Sequence, residues 1–414
     1  MMSRRILTAF LVLLAVPALA VDWPQWRGPG RDGISQETGL LAQWPAEGPK
    51  LLWQVKNIDD GYSTPSVVGD RLYLMSNKGM DDEFVQALNA ADGSQIWSVR
   101  VGKVGPNQGP QYPGARSTPT VDGDALYALG SDGDLACLDI SGKMRWQKNL
   151  RSDFGGVPGA WAYAESPLVD GNTLVCTPGG KDATLVALDK NSGDVIWKCA
   201  LPEGDKAGYA SAIVVDAGGT RQYVQFVQNG LVGVDAKTGK FLWRYDKTGK
   251  SPANIPTPVA HDVFVYSASG RGGGGLVELK ATSDGVEATE KYFETKLPTS
   301  IGGTVEINGF LYGTNSAGLM CVDFNSGEVK WQERGVGAGS VCYADGRLYL
   351  HGEKGDVALV EPSPEGYREK GRFTPPDQPE RGKALAWAYP VVSNGRLYIR
   401  DLGTLWCYEV QGGK

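Results

Sequence analysis

Five times along this chain a glycine stands four residues before a tryptophan: Gly93 and Trp97, Gly142 and Trp146, Gly193 and Trp197, Gly239 and Trp243, Gly327 and Trp331. Before each pair runs a short apolar stretch that ends in Asp or Asn, as in Leu185-Val186-Ala187-Leu188-Asp189. A side chain that caps the turn, followed by a glycine able to take positive φ, is hairpin chemistry between two strands. A second hairpin signal recurs in Gly69-Asp70-Arg71-Leu72-Tyr73, Gly123-Asp124-Ala125-Leu126-Tyr127, Gly309-Phe310-Leu311-Tyr312, Gly346-Arg347-Leu348-Tyr349 and Gly395-Arg396-Leu397-Tyr398, behind Val-rich runs such as Ser66-Val67-Val68. Each unit is therefore four short strands, A to D, joined by tight turns.

The tryptophan spacing fixes the count. Trp53, Trp97, Trp146, Trp197 and Trp243 are 44, 49, 51 and 46 residues apart, and Trp331 lies 88 further on, two periods away. The skipped outer strand is Glu290-Lys291-Tyr292-Phe293, and a second weak unit, near Arg372-Phe373, follows Trp331. Trp53 has no inner strands before it, whereas Leu405 to Val410 has no outer strand after it, so each completes the other. A period near 46 residues matches a four-stranded blade, and joining the ends removes exposed edges. The pattern predicts an all-β fold: an eight-bladed β-propeller of four-stranded antiparallel blades over residues 49–414, closed by pairing N- and C-terminal strands. A seven-bladed ring is the alternative, if one weak unit is not a blade.

Glycine supplies 57 of the 414 residues and tryptophan twelve, with two histidines; the repeat accounts for much of that excess. The net charge is −6, or −8 once Arg4 and Arg5 leave with a cleaved leader, and no basic run offers a face for phosphate, which argues against a nucleic-acid partner. Arg4 and Arg5, the apolar run from Ile6 to Val16 and the small-x-small site Ala18-Leu19-Ala20 read as a signal peptide over residues 1–20, with a periplasmic or secreted destination and no membrane span. The first cysteine is Cys137, so no lipid anchor is expected. Residues 21–48 form an N-terminal extension. Cys137, Cys321 and Cys407 share a slot that elsewhere holds Ala87, Ala187 or Gly233, which favours small buried thiols over bridges; Cys176, Cys199 and Cys342 are left open.

The recurrent Ala-Leu-Asp, Thr/Ser-Gly and Trp pattern resembles the tryptophan-docking repeat of the pyrroloquinoline-quinone (PQQ) propeller superfamily over residues from about 49 to 410. Trp23-Pro24-Gln25-Trp26-Arg27-Gly28-Pro29, with Gly33, looks like the N-terminal signature of exported PQQ-like repeat proteins of the planctomycete type. The superfamily contains quinoprotein dehydrogenases and also the non-catalytic outer-membrane β-barrel assembly factor. For a dehydrogenase the resemblance implies a quinone stacked on a tryptophan, a calcium held by Glu, Asn and Asp, and an aspartate base, oxidising an alcohol or sugar. The chain departs from that pattern in lacking the adjacent cysteine pair of many such enzymes. No residue carries over as a calcium ligand.

Function is to be sought where the copies differ. An outer-strand indole fills the wedge between blades, which gives Trp53, Trp97, Trp146, Trp197, Trp243 and Trp331 a docking role. The D–A connections and B–C hairpins share one face and vary in length, and loops of that kind carry binding residues. Three D–A connections are long: Val101 to Arg116, Leu150 to Glu165 and Thr374 to Tyr389. In or just after D–A segments stand Tyr62, Tyr112, Arg116, Trp161, Tyr163, Glu165, Trp387 and Tyr389, and B–C hairpins add Arg271, Lys354, Arg400 and Asp401 to the same face. Aromatics with an arginine and a carboxylate are suited to a small or polar ligand. Gly270, Gly272 and Gly275 fit G-x-G-x-x-G, but the strand-like Leu276-Val277-Glu278-Leu279 follows, not a helix. With His261 and His351 alone and no Cys-x-x-Cys, no metal site is expected. The reading is a non-catalytic binding or scaffold propeller whose variable face recognises a protein segment, a glycan or a small ligand; the alternative is the PQQ-dependent dehydrogenase.

Overall fold

Eight blades of four antiparallel strands make up the ring, and the seventh sheet gains a fifth, parallel strand, Ile34–Ser35, from the N-terminal extension. The computed structural model describes residues 21–107, 112–249, 251–283, 285–299 and 301–413; the expected leader and residues 108–111 of the connection from Val101 to Arg116 lie outside them. Blades one to seven occupy 66–103, 120–149, 168–199, 213–245, 259–294, 304–333 and 339–373. Blade eight takes three strands from the C-terminal end, Val391–Ser393, Arg396–Asp401 and Thr404–Glu409. Its outer strand is the N-terminal Lys50–Lys56, where Trp53 pairs with Cys407. Both weak units are complete blades, with outer strands Gly285–Glu294 and Arg368–Phe373. One short helix, Leu150–Phe154, capped by Asn149 and ended by left-handed Gly155, sits in the connection into blade three.

The repeat motif interlocks neighbouring blades. Trp97 of blade one donates its indole N–H to the Ile140 carbonyl of blade two at 3.1 Å, and Trp146 does the same to Lys190, Trp197 to Ala236, Trp53 to Ala90 and Trp331 to Ser363. In most copies the indole lies on the turn glycine of the next blade. A Cβ added to Gly142, whose φ is +91°, would come within 2.9 Å of the Trp97 ring. Glycine is thus required twice over, by the left-handed backbone and by the ring above it. Blade five carries Tyr292 in the docking slot, and its hydroxyl donates to the Phe324 carbonyl at 2.9 Å. Trp243, facing that blade, donates instead to Gln222 of its own blade at 2.6 Å.

Blade seven has no docking side chain. Gly371 stands in the slot, paired with Leu359. Trp44, from the extension, fills the space: it is buried, packs on Phe373 at 5.3 Å, and its Cβ lies where a Gly371 side chain would go. A fully buried indole of this size contributes several kcal/mol relative to an empty wedge, about 3–5 by the usual cost of truncation.

All six cysteines are buried free thiols, Cys176, Cys199 and Cys342 among them. Residues 270–272 form the hairpin turn into the strand Gly273–Thr282, which contains Gly275, not a helix N-terminus.

Candidate functional site

The extension does more than precede the ring. Trp23 exchanges two backbone hydrogen bonds with Val67 of blade one, each 2.8 Å, and the Pro24 carbonyl accepts from Val121 of blade two. Arg31 donates to the Ser166 and Pro167 carbonyls of blade three. Trp26 donates to Thr257 at blade five, Arg27 to the Thr304 carbonyl of blade six, and Ser35 to the Val392 carbonyl of blade eight. Ile34 and Ser35 run parallel to the innermost strand of blade seven. One segment of fifteen residues, 21–35, therefore bonds the inner strands of seven blades or the residues just before them, and plugs the central channel.

Two buried arginines make the plug specific. Arg27 and Arg31 are almost fully buried. Arg27 donates to backbone carbonyls, Arg31 to carbonyls and to the Gln25 side chain at 3.1 Å, bonds that offset part of the loss of water. Arg27 Nη1 and Arg31 Nε have no partner among the described residues. Burial still pulls the Arg31 pKa down to about 10, with the nearby Glu165 acting the other way.

Above the plug, at the level where the inner strands begin, a cavity of about 340 Å³ opens on the face of the D–A connections. Trp26 of the plug forms part of its lining. Tyr62, Tyr112, Arg116, Trp161, Trp387 and Tyr389 line it with Tyr209 of blade four and the smaller Ala164, Ala253, Ile255 and Ile301. The rings support one another: Tyr62 and Tyr112 lie 4.9 and 5.0 Å from Trp387, and Trp26 lies 4.6 Å from Tyr389. Several polar ends are tied back into the rim, so those rings are held in place. Tyr389 donates to the Ile301 carbonyl, Trp387 to Glu353, and Tyr209 accepts from the Trp161 backbone.

Three donors on this wall have no partner among the described residues: the Tyr62 hydroxyl, one terminal nitrogen of Arg116 and the Trp161 indole N–H. Arg116 spends its other terminal nitrogen on the Trp161 carbonyl. The nearest carboxylate influence is Glu83, which accepts instead from the Ser131 amide and hydroxyl at 2.7 and 2.5 Å. Burial pushes Glu83 up to about 7 and holds Arg116 below the usual arginine value.

Of the residues singled out in the sequence, six meet at the cavity. Four others have internal partners instead. Tyr163 donates to the Pro178 carbonyl inside the core between blades two and three. Glu165, raised to about 7 by burial, accepts from the Thr177 amide and from Gln225 at 2.9 Å. Arg400 is fully buried and bolts blade eight to blade one through the Ser63 and Met75 carbonyls, and Asp401 pairs with Arg381. Arg271 and Lys354 are exposed, Lys354 beside a separate groove between blades six and seven. Trp26 and Tyr209 were not singled out. Trp26 lies in a segment without repeats, and Tyr209 in a connection of ordinary length.

The calcium-quinone arrangement does not fit these residues. Among the described residues the lining carries one charged side chain, Arg116, and no carboxylate. Among the described residues no three His, Cys, Asp or Glu side chains converge as a metal site.

Blades interlocked by docking indoles, closed between the termini and plugged at the centre, define a repeat propeller with a blind aromatic cavity. The family model described as outer membrane protein assembly factor BamB matches residues 31–162 and 81–333, and the chain belongs to that family. A relative of that name from Burkholderia pseudomallei is 24% identical over 261 residues, 58% of this chain and 59% of that protein; the match thus spans under two thirds of the relative's length. The crystal structure of BamB from Moraxella catarrhalis superposes with a TM-score of 0.60 at 18% identity, covering 91% of this chain and 99% of that one. A quinohemoprotein alcohol dehydrogenase from Pseudomonas putida superposes with 0.64 at 12% identity, over 95% and 81%. At such identities the structural likeness establishes the shared fold, and both functional classes display it.

Proposed function

We propose that this chain is a non-catalytic binding propeller of the cell envelope, whose loop-bearing face engages a partner and whose cavity receives part of it. The observation that carries this reading is the lining: a preformed aromatic wall with one cation and, among the described residues, no carboxylate, histidine or cysteine. Family membership supports a scaffold role, because the relatives are named for assembly at the outer membrane. No helix among the described residues is long and apolar enough to cross a membrane, and the leader read in the sequence supports an exported protein. Burial of the partner's apolar surface against Tyr112, Trp161 and Trp387 supplies affinity, and the free donors supply orientation. Affinity capture from an envelope extract tests this. The wild-type chain should retain a discrete partner that a Tyr112→Ala/Trp161→Ala variant loses, and an identical set of captured proteins would remove the cavity from the function.

A further inference from the structure

The geometry points to the occupant's chemistry: a single carboxylate attached to a planar apolar body, with the carboxylate on Arg116 and the body between the rings. This rests on the cavity being the binding site, and goes beyond it by naming what binds.

A guanidinium at the wall of an apolar cavity, with no ion pair among the described residues and with Glu83, itself bonded to Ser131, acting on it only through space, keeps a charge that its surroundings offset only in part. Such a group is costly unless paired, and a carboxylate is the partner its flat fork fits. Arg116 Nη2, the Tyr62 hydroxyl and the Trp161 indole N–H lie just behind the cavity wall, buried and without partners among the described residues. A carboxylate drawn to Arg116 presents two oxygens with about four acceptor sites, so small turns of these side chains can bring the donors to it. A neutral amide would offer one oxygen to the donors and turn an NH2 group toward them.

The rest of the wall specifies the body. Tyr112, Trp161, Tyr209 and Trp387 present ring surface and Ala253, Ile255 and Ile301 present aliphatic surface, so a flat apolar group replaces water without stranding polar atoms. One guanidinium neutralises one carboxylate. A tricarboxylate such as PQQ would leave two charges unpaired against that wall, which separates this proposal from the quinone of the related dehydrogenases.

The carboxylate has two sources, a free aromatic acid or the C-terminal residue of a polypeptide. Calorimetric titration of the full chain tests the chemistry and tells them apart. The probes are indole-3-acetate, its amide, a short peptide ending in tryptophan with a free carboxylate, the same peptide amidated, and PQQ. At least one acid should bind about tenfold or more tightly than its amide, as expected for a charge-assisted bond. Arg116→Gln should abolish that preference, whereas Arg145→Gln, on the surface, should keep it. Ala164→Leu, which fills cavity space without touching the charge, should weaken acid and amide together and covers the case in which Arg116→Gln fails to fold.

Tighter binding of the free acid assigns a small molecule, and tighter binding of the peptide assigns a chain end. Equal affinity for acid and amide, no binding of either acid, or PQQ binding more tightly than both would overturn the proposal. Each of those results is independent of the capture experiment, which tests the cavity's part in the function whatever its ligand.

Discussion

At the rim of this propeller, Trp97 donates to a carbonyl of the next blade, and Trp146, Trp197, Trp53 and Trp331 repeat the bond around the ring. At the channel, the lining differs from blade to blade: a tyrosine from one, an arginine from the next, a tryptophan from a third, and a further tryptophan from a segment belonging to no blade. Repetition at the rim solves a packing problem that every blade shares. Variation at the centre leaves room for a site, and the plug makes that site possible by closing the channel beneath it.

The two regions should respond differently to substitution. The largest losses are expected where the aperiodic extension substitutes for the repeat. Trp23→Ala and Trp44→Ala each remove a buried indole, and each should cost about 3–5 kcal/mol in denaturant unfolding. A loss under about 1 kcal/mol for Trp44→Ala would show that the wedge at Gly371 is not held by that ring.

Turn glycines come next. Gly142→Ala combines a left-handed backbone with a contact on the Trp97 ring and should cost about 2–3 kcal/mol, whereas Gly123→Ala, at φ +60° with open space around it, should cost about 1. Equal costs in a thermal unfolding series would mean that backbone strain alone, and not the indole above, selects glycine at position 142.

Smaller still is a pH effect seated beneath the cavity. Glu83 and Glu165 stand near 7 in the fold, against 4.5 ordinarily, because burial disfavours the carboxylate. Between those values the folded chain binds more protons than the unfolded chain, so stability is fully present below about 4.5 and falls as pH rises through 7. Glu83→Gln removes one of the two contributions. Urea midpoints at pH 5 and pH 8 should therefore lie closer together in that variant; an unchanged gap would contradict the assignment to Glu83.

The gentlest probe leaves the molecule intact. No thiol of the native chain should react with an exposed-thiol reagent, and all six should react after unfolding. Rapid native labelling would place a cysteine outside the blade cores.

The rim was legible in the sequence because its physics repeats. The spacing of Trp53 to Trp331 carries the blade count, and the unmatched strands at the two ends carry the closure. The channel was legible only in part. Tyr62, Tyr112, Arg116, Trp161, Trp387 and Tyr389 stand out by position in connections where the copies differ, and they converge. Tyr163, Glu165, Arg400 and Asp401 occupy comparable positions but find partners within the protein, and position along a strand does not say which way a side chain finds its partner. Trp26, Arg27 and Arg31 bond residues more than a hundred positions away, which no local pattern encodes. Trp44 left one trace: the outer strand near Arg372 lacks a docking aromatic, and Gly371 leaves a hole that some other ring must fill.

If the cavity face, and not the rim, is where a partner sits, the two regions must differ in what they touch. A photoreactive phenylalanine analogue placed at Tyr112, beside the cavity, and separately at Lys330, on the outer strand of blade six, tests this in the intact envelope. Cross-linking to a discrete partner from position 112, lost when Trp161→Ala is added, and none from position 330 is the predicted result. A partner captured equally from both positions, or from 330 alone, would contradict it.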